Sequence, residues 1–251
     1  MRRKFKRLTA FLLSAAMVFP FFGEYPSGTF DFDWGFDWSV SAEDTTPNFS
    51  DAQILTVVEG VLYIDGEALA IDGSKSTIPA GDYKLESDIT TDIYISTEGS
   101  INLDLNGHTW DMSAKYLSLN KNATLSLYDT SANKTGKITS SSYQTIYLNS
   151  SSSTFNLYSG TVENTSDGVK NVVVFSLGSC NLYGGTIKSN AYAVYYYLYL
   201  NTTINIDKTS FDCGNGHAQI YTILPSSSAE PCAVIDVSDY TGGVLTVDAK
   251  I

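Results

Sequence analysis

Positive charge is scarce in this chain, and its placement is more telling than its amount. Three arginines, all within the first seven residues, and twelve lysines face 27 carboxylates, for a formal charge of −12 over 251 residues. Such an acidic chain suits neither nucleic acid nor an anionic membrane surface. Only 17% of residues are charged, while 43% are hydrophobic and 13% aromatic. That composition excludes a disordered tail, and the length allows a continuous core. Histidine is limited to His108 and His217, and cysteine to Cys180, Cys213 and Cys232. No CxxC or Cys/His spacing of the zinc type occurs, so no metal or other cofactor is expected. No apolar run reaches the roughly 18 to 20 residues of a spanning helix.

The basic residues that do exist are concentrated at the start. Arg2, Arg3, Lys4, Lys6 and Arg7 precede an apolar stretch from Leu8 to Phe22, the charge-then-apolar order of an export signal. An aromatic linker containing Trp34 and Trp38 leads to Val40-Ser41-Ala42, whose small residues place cleavage after Ala42. Residues 1–42 are therefore read as a signal peptide, and the protein as secreted, extracellular or cell-surface associated. An uncleaved anchor or an aromatic interaction tail is the alternative. Cleavage would leave ten lysines, 23 carboxylates and no arginine, a balance of −13. A chain without a guanidinium fork is poorly equipped for carboxylate or phosphate ligands. An odd cysteine count permits one disulfide at most, and Cys213 with Cys232 is the pair to test.

From residue 95 onward short alternating segments recur: Ile101-Asn102-Leu103-Asp104-Leu105, Leu125-Ser126-Leu127-Tyr128, Phe155-Asn156-Leu157-Tyr158, Cys180-Asn181-Leu182-Tyr183 and Ile204-Asn205-Ile206-Asp207. Taking Leu105, Leu127, Leu157, Leu182 and Ile206 as equivalent gives spacings of 22, 30, 25 and 24, the 30 containing an insertion near Thr130 to Thr135. A second column is expected through Trp110, Ile138, Val162, Ile187 and Phe211. Another apolar segment precedes the central one in each of the last four units: Leu117/Leu119, Ile146/Leu148, Val173/Phe175 and Leu198/Leu200. Period-two alternation punctuated by Gly, Asn, Asp and Ser argues about three short strands per unit. One such unit cannot bury its apolar face alone, so the units must stack. The fold class expected is all-β: a single right-handed parallel β-helix of about six coils over residues 76–251. Residues 43–75 are read as a linker and β cap, with hairpin chemistry at Asp65-Gly66. At the far end, segments 233–237 and 244–247 are expected to cover the last coil.

The phrase Ile78-Pro79-Ala80-Gly81-Asp82-Tyr83, the run Leu103-Asp104-Leu105-Asn106-Gly107-His108-Thr109, and the Leu-Tyr-x-Gly-Thr-aliphatic signature at 157–162 and 182–187 carry a resemblance. It covers residues 76–247. The chain resembles secreted bacterial right-handed β-helix proteins of the pectin-lyase-like group, which include polysaccharide lyases, hydrolases, adhesins and proteins with no assigned chemistry. The resemblance implies architecture more than activity. A lyase of that group would use arginine as base, which the cleaved chain lacks, leaving Lys115, Lys121, Lys137, Lys170 and Lys188. A hydrolase needs converging carboxylates. Asp207 with Asp212, in neighbouring strands, and Asp236 with Asp239, one coil later, are the pairs the spacing allows, against ordinary surface acids, and no catalytic residue is assigned.

Exposed columns carry the stronger hint. If Leu127, Leu157 and Leu182 point inward, Tyr128, Tyr158 and Tyr183 point outward in a line. Beside them Asp104, Ser126, Asn156, Asn181 and Asn205 are expected to form a polar line, with Tyr147 and Tyr197 on a neighbouring face beside Tyr195 and Tyr199. Flat rings beside amides suit neutral sugars, whose apolar face stacks while their hydroxyls need directional partners. Simple cross-strand packing of tyrosines is the competing explanation. The sequence thus predicts a monomeric, non-enzymatic carbohydrate-interaction or adhesion module, whose partners are neutral glycans or a host or cell-surface protein. A polysaccharide-degrading enzyme and a structural spacer remain the alternatives.

Overall fold

A computed structural model describes residues 46–168, 172–197, 203–214, 218–223, 234–237, 240–241, 245 and 247–250. The repeating segments build a parallel β-solenoid. Among the described residues the strands form three sheets of ten, nine and six strands, here called A, B and C. Each coil visits them in the order C, B, A. One coil comprises Thr109–Asp111, Leu117–Leu119 and Thr124–Tyr128, and the next comprises Lys137–Ser140, Gln144–Leu148 and Thr154–Leu157. Five complete coils run from Ile89–Thr90 to Thr203–Ile206, and strands Ser210–Cys213, Ile220–Ile223 and Val234–Asp236 continue into a sixth. All pairings between coils are parallel and in register.

Alternation puts every second side chain inside, and the register stacks like on like. On sheet C the column Ile89, Trp110, Ile138, Val162, Ile187 and Phe211 forms as expected, one residue longer at its start. Trp110 is fully buried, and its indole Nε1 donates to Thr91 Oγ1 at 3.0 Å. On sheet A the expected column needs correcting. Leu127 pairs with Leu103, not Leu105, so the column runs Tyr83, Leu103, Leu127, Leu157, Leu182 and Ile206. Leu105 is also fully buried, but one pleat further along. A slip of two residues keeps every side chain on its face, so alternation cannot distinguish the two alignments.

Sheet B carries the inward column Ile95, Leu117, Ile146, Val174, Val194 and Ile220, and Val247 continues its register at an exposed position. Val174 thus takes the place next to Ile146, and Phe175 faces outward beside Tyr147. Leu198 and Leu200 lie outside the described residues. The expected insertion is a loop between strands Thr124–Tyr128 and Lys137–Ser140, and a buried carboxylate organises it. Asp129 accepts from the backbone N–H groups of Gly107, Ser131 and Gly136 at 2.9, 3.1 and 2.6 Å. Asp104, also buried, accepts from Asn106 N–H and from the N–H and hydroxyl of Thr130. These groups would otherwise be orphaned at a buried corner.

The N-terminal cap forms as expected. Strands Gln53–Val58, Val61–Ile64 and Glu67–Ala68 fold antiparallel, while the first also pairs parallel with Gly81–Leu85. Glu59-Gly60 and Asp65-Gly66 all have positive φ, the geometry of two-residue type I′ turns. The other end differs from expectation. Val234–Asp236 pairs parallel with Thr203–Ile206, and Val247–Lys250 with Ile220–Ile223, so these segments add rungs to the solenoid.

Candidate functional site

The outward side of sheet A presents three columns. The tyrosine column is Asp104, Tyr128, Tyr158, Tyr183 and Asp207, because each tyrosine follows an inward leucine and the strands are in register. Tyr128 and Tyr158 stack at 4.6 Å between ring centroids with planes 4° apart, and Tyr158 and Tyr183 at 5.0 Å and 28°. Exposure differs sharply along the row: Tyr158 is 39% exposed and Tyr128 only 6%. Phe49, from the short 3-10 turn Phe49–Asp51, packs on Tyr128 at 5.5 Å and covers that end.

Stacking along the axis changes what the rings can do. A ring sandwiched between two rings has both faces in use, leaving its edge and its hydroxyl for a ligand. Tyr128 has Phe49 and Tyr158 as neighbours, and Tyr158 has two tyrosines. Tyr183 stacks on Tyr158 and is followed in the column by Asp207 rather than by another ring. Burial, and then the neighbouring Tyr158, push its phenol above the ordinary value.

Two residues upstream runs the amide column Asp82, Asn102, Ser126, Asn156, Asn181, Asn205 and Asp236. The two-residue slip moves Asp104 out of this line and into the tyrosine column. The amides form a directional chain: Asn205 Nδ2 donates to Asn181 Oδ1 at 2.6 Å, Asn181 Nδ2 to Asn156 Oδ1 at 2.8 Å, and Asn156 Nδ2 to Ser126 Oγ at 3.0 Å. Each donating nitrogen keeps one further N–H by inventory. Two more residues upstream, Ser100, Thr124, Thr154, Ser179 and Thr203 make a hydroxyl column.

Sheet B holds an aromatic row of which the sequence pattern shows Tyr147 and Tyr195 but not Phe175, Tyr221, Tyr94 or Tyr116. In register lie Tyr147, Phe175, Tyr195 and Tyr221, preceded by Tyr94 and Tyr116 two residues to one side. Tyr147 stands at 87° to Tyr116 and 69° to Phe175, whereas Phe175 and Tyr195 stack at 7°. Lys115 Nζ sits 5.1 Å from the centre of the Tyr94 ring and 3.9 Å from Asp92. Tyr197 ends its strand and pairs with Ile223. Three consecutive valines before Phe175 erase the alternation that would have revealed its facing.

Among the described residues the remaining candidates are spread over different sheets. Asp212 lies on sheet C in register with Lys188, whereas Asp207 follows a strand of sheet A. Glu163 sits between Lys137 and Lys188, at 3.3 and 3.2 Å, and this contact raises the Lys188 ammonium above its usual value. His108 Nδ1 lies 3.4 Å from Asp88. Among the described residues no group of three His, Cys, Asp or Glu side chains could hold a metal ion. Cys180 and Cys213 are free thiols, pushed up to about 12 and about 11 by burial, with Asp212 adding to the second. Cys232, His217, Asp239, Tyr199 and the segment 1–42 lie outside the described residues. Compared with protein-family models, curated proteins and solved structures, the chain matches none of them.

Proposed function

We propose that the protein is a secreted or cell-surface β-helix that acts as a non-enzymatic carbohydrate-interaction or adhesion module through the outward side of sheet A. The observation that carries this reading is the tyrosine row beside the amide row, each repeating once per coil on one flat face. Phenol and amide groups supply the directional donors and acceptors that sugar hydroxyls need, and a ring face supplies the apolar contact. Within the row Tyr183 is the stacking residue, and Tyr128, beneath Phe49, is structural. The absence of arginine beyond Arg7 directs the reading to neutral glycans. The resemblance to the pectin-lyase-like group is consistent with an extracellular polysaccharide partner.

The test is a glycan panel titrated against the chain beginning at Glu43, followed by tyrosine fluorescence and by assays for reducing and unsaturated ends. Binding without product, weakened at least tenfold by Tyr183→Ala and little changed by Tyr128→Phe, is the expected result. Release of new ends would replace this reading with an enzymatic one. Retention of full affinity in Tyr183→Ala would move the site elsewhere.

A further inference from the structure

The three columns of sheet A are not independent features. They form one trio repeated in consecutive coils: Thr124, Ser126 and Tyr128; Thr154, Asn156 and Tyr158; Ser179, Asn181 and Tyr183; Thr203, Asn205 and Asp207. Strands in register recur about every 4.8 Å along the axis. We infer that the ligand is an unbranched, neutral, β-linked polysaccharide lying parallel to the solenoid axis, with one sugar unit over each of these four coils. This inference rests on the carbohydrate reading above and assigns the polymer class, its direction and its length.

Three observations support it. First, a surface with a translational repeat is matched by a ligand with a similar repeat, and one pyranose unit of an extended β-linked chain is close in length to one coil. Each unit then meets a hydroxyl, from Thr124, Thr154, Ser179 or Thr203; the two middle coils add an amide and a tyrosine edge, the last adds Asn205 and Asp207, and in the first Ser126 and Tyr128 are buried. Second, charge marks the ends of the array. The amide column is uncharged from Asn102 to Asn205 and has the exposed Asp82 before it and the exposed Asp236 after it, while the tyrosine column ends at the half-buried Asp207. Acidic polymers would meet these carboxylates with like charge, whereas a neutral one meets an uncharged lane. Third, the lane is pre-organised. The Asn205-Asn181-Asn156-Ser126 chain and the ring stack hold its side chains before any ligand arrives, which lowers the ordering cost of many weak contacts.

A repeating lane has a distinctive signature. Short ligands can sit on any coil, so a lesion at one coil leaves them another place to bind. A ligand that spans all four coils cannot avoid it. Isothermal titration of the chain beginning at Glu43 with β-1,4-linked gluco-oligosaccharides of one to six units should show affinity rising several-fold per added sugar up to four and levelling thereafter. Thr154→Val, which keeps the β-branched shape and removes one hydroxyl at the second coil, should weaken the tetrasaccharide several-fold and leave the disaccharide within twofold. An unchanged melting temperature shows that this variant is folded. Galacturonate oligomers of the same lengths should bind more weakly throughout.

Length-independent affinity, or affinity that keeps climbing at six units, would overturn the four-coil lane while leaving carbohydrate binding intact. Tighter binding of galacturonate oligomers would overturn its neutrality. Failure of every glycan on the panel would remove both this inference and the reading beneath it.

Discussion

Truncating neighbouring residues on opposite sides of one strand should have very different costs. Leu157 is fully buried between Leu127 and Leu182, which are themselves fully buried, and its side chain lies against Gly185, where an added Cβ would sit 3.3 Å from Leu157 Cδ1. A site walled by coils above and below has little room to collapse. Leu157→Ala should therefore fall in the upper part of the usual range for such cavities, about 3 to 5 kcal/mol. Tyr158 is 39% exposed and loses two ring contacts, worth together roughly 1 to 2 kcal/mol. Trp110, the one tryptophan beyond residue 42 and fully buried, reports unfolding in urea without added labels. Midpoints compared at unchanged slope give the two penalties. Equal costs, or a larger cost for Tyr158→Ala, would refute the assigned facing of the strand.

Removing the Asp129 carboxylate as Asp129→Ala leaves three backbone N–H groups at a buried corner without their partner, and should cost at least about 3 kcal/mol by the same urea measurement. Gly178→Ala should do comparable damage, because its Cβ would meet Ser153 O at 2.2 Å, a backbone atom that cannot swing aside. A penalty under about 1 kcal/mol in either variant would contradict the corner packing. The raised titrations predict a loss of stability at alkaline pH. Cys180 is held protonated by burial up to about 12, against 9.0 unperturbed, so the unfolded chain ionises first and stability falls as pH rises between those values. Urea midpoints from pH 7 to 11 should decline above about pH 9, less steeply in Cys180→Ala. Ellman's reagent at pH 8 should label Cys180 only after unfolding.

The fold was legible because a solenoid writes its period into the sequence, and the Trp110 column was read correctly because its three middle units offer a single apolar residue each, Ile138, Val162 and Ile187. The sheet A column was misread at its first member because Leu103 and Leu105 both alternate correctly, and only backbone pairing decides between them. That slip concealed the place of Asp104 in the tyrosine column and the place of Asn102 in the amide line. Phe175 was hidden by the run Val172-Val173-Val174, where all three residues are buried and alternation fails. Asp104 was expected in an outward polar line and Asp129 was not singled out, yet their neighbours gave a usable signal, since Asp beside Gly, Asn, Ser and Thr marks side-chain-to-backbone turns. The mutual bonding of the asparagines and the covering of Tyr128 by Phe49 depend on contacts between distant segments, which no local pattern encodes.

The central claim, that equivalent residues of successive coils lie one above another in parallel register, is tested most directly by methyl–methyl nuclear Overhauser contacts in protein labelled at Leu and Ile. Cross-peaks should connect Leu103 to Leu127, Leu127 to Leu157, Leu157 to Leu182 and Leu182 to Ile206. A chain of contacts that skips these neighbours, or that links Leu105 to Leu127 in place of Leu103, would contradict it.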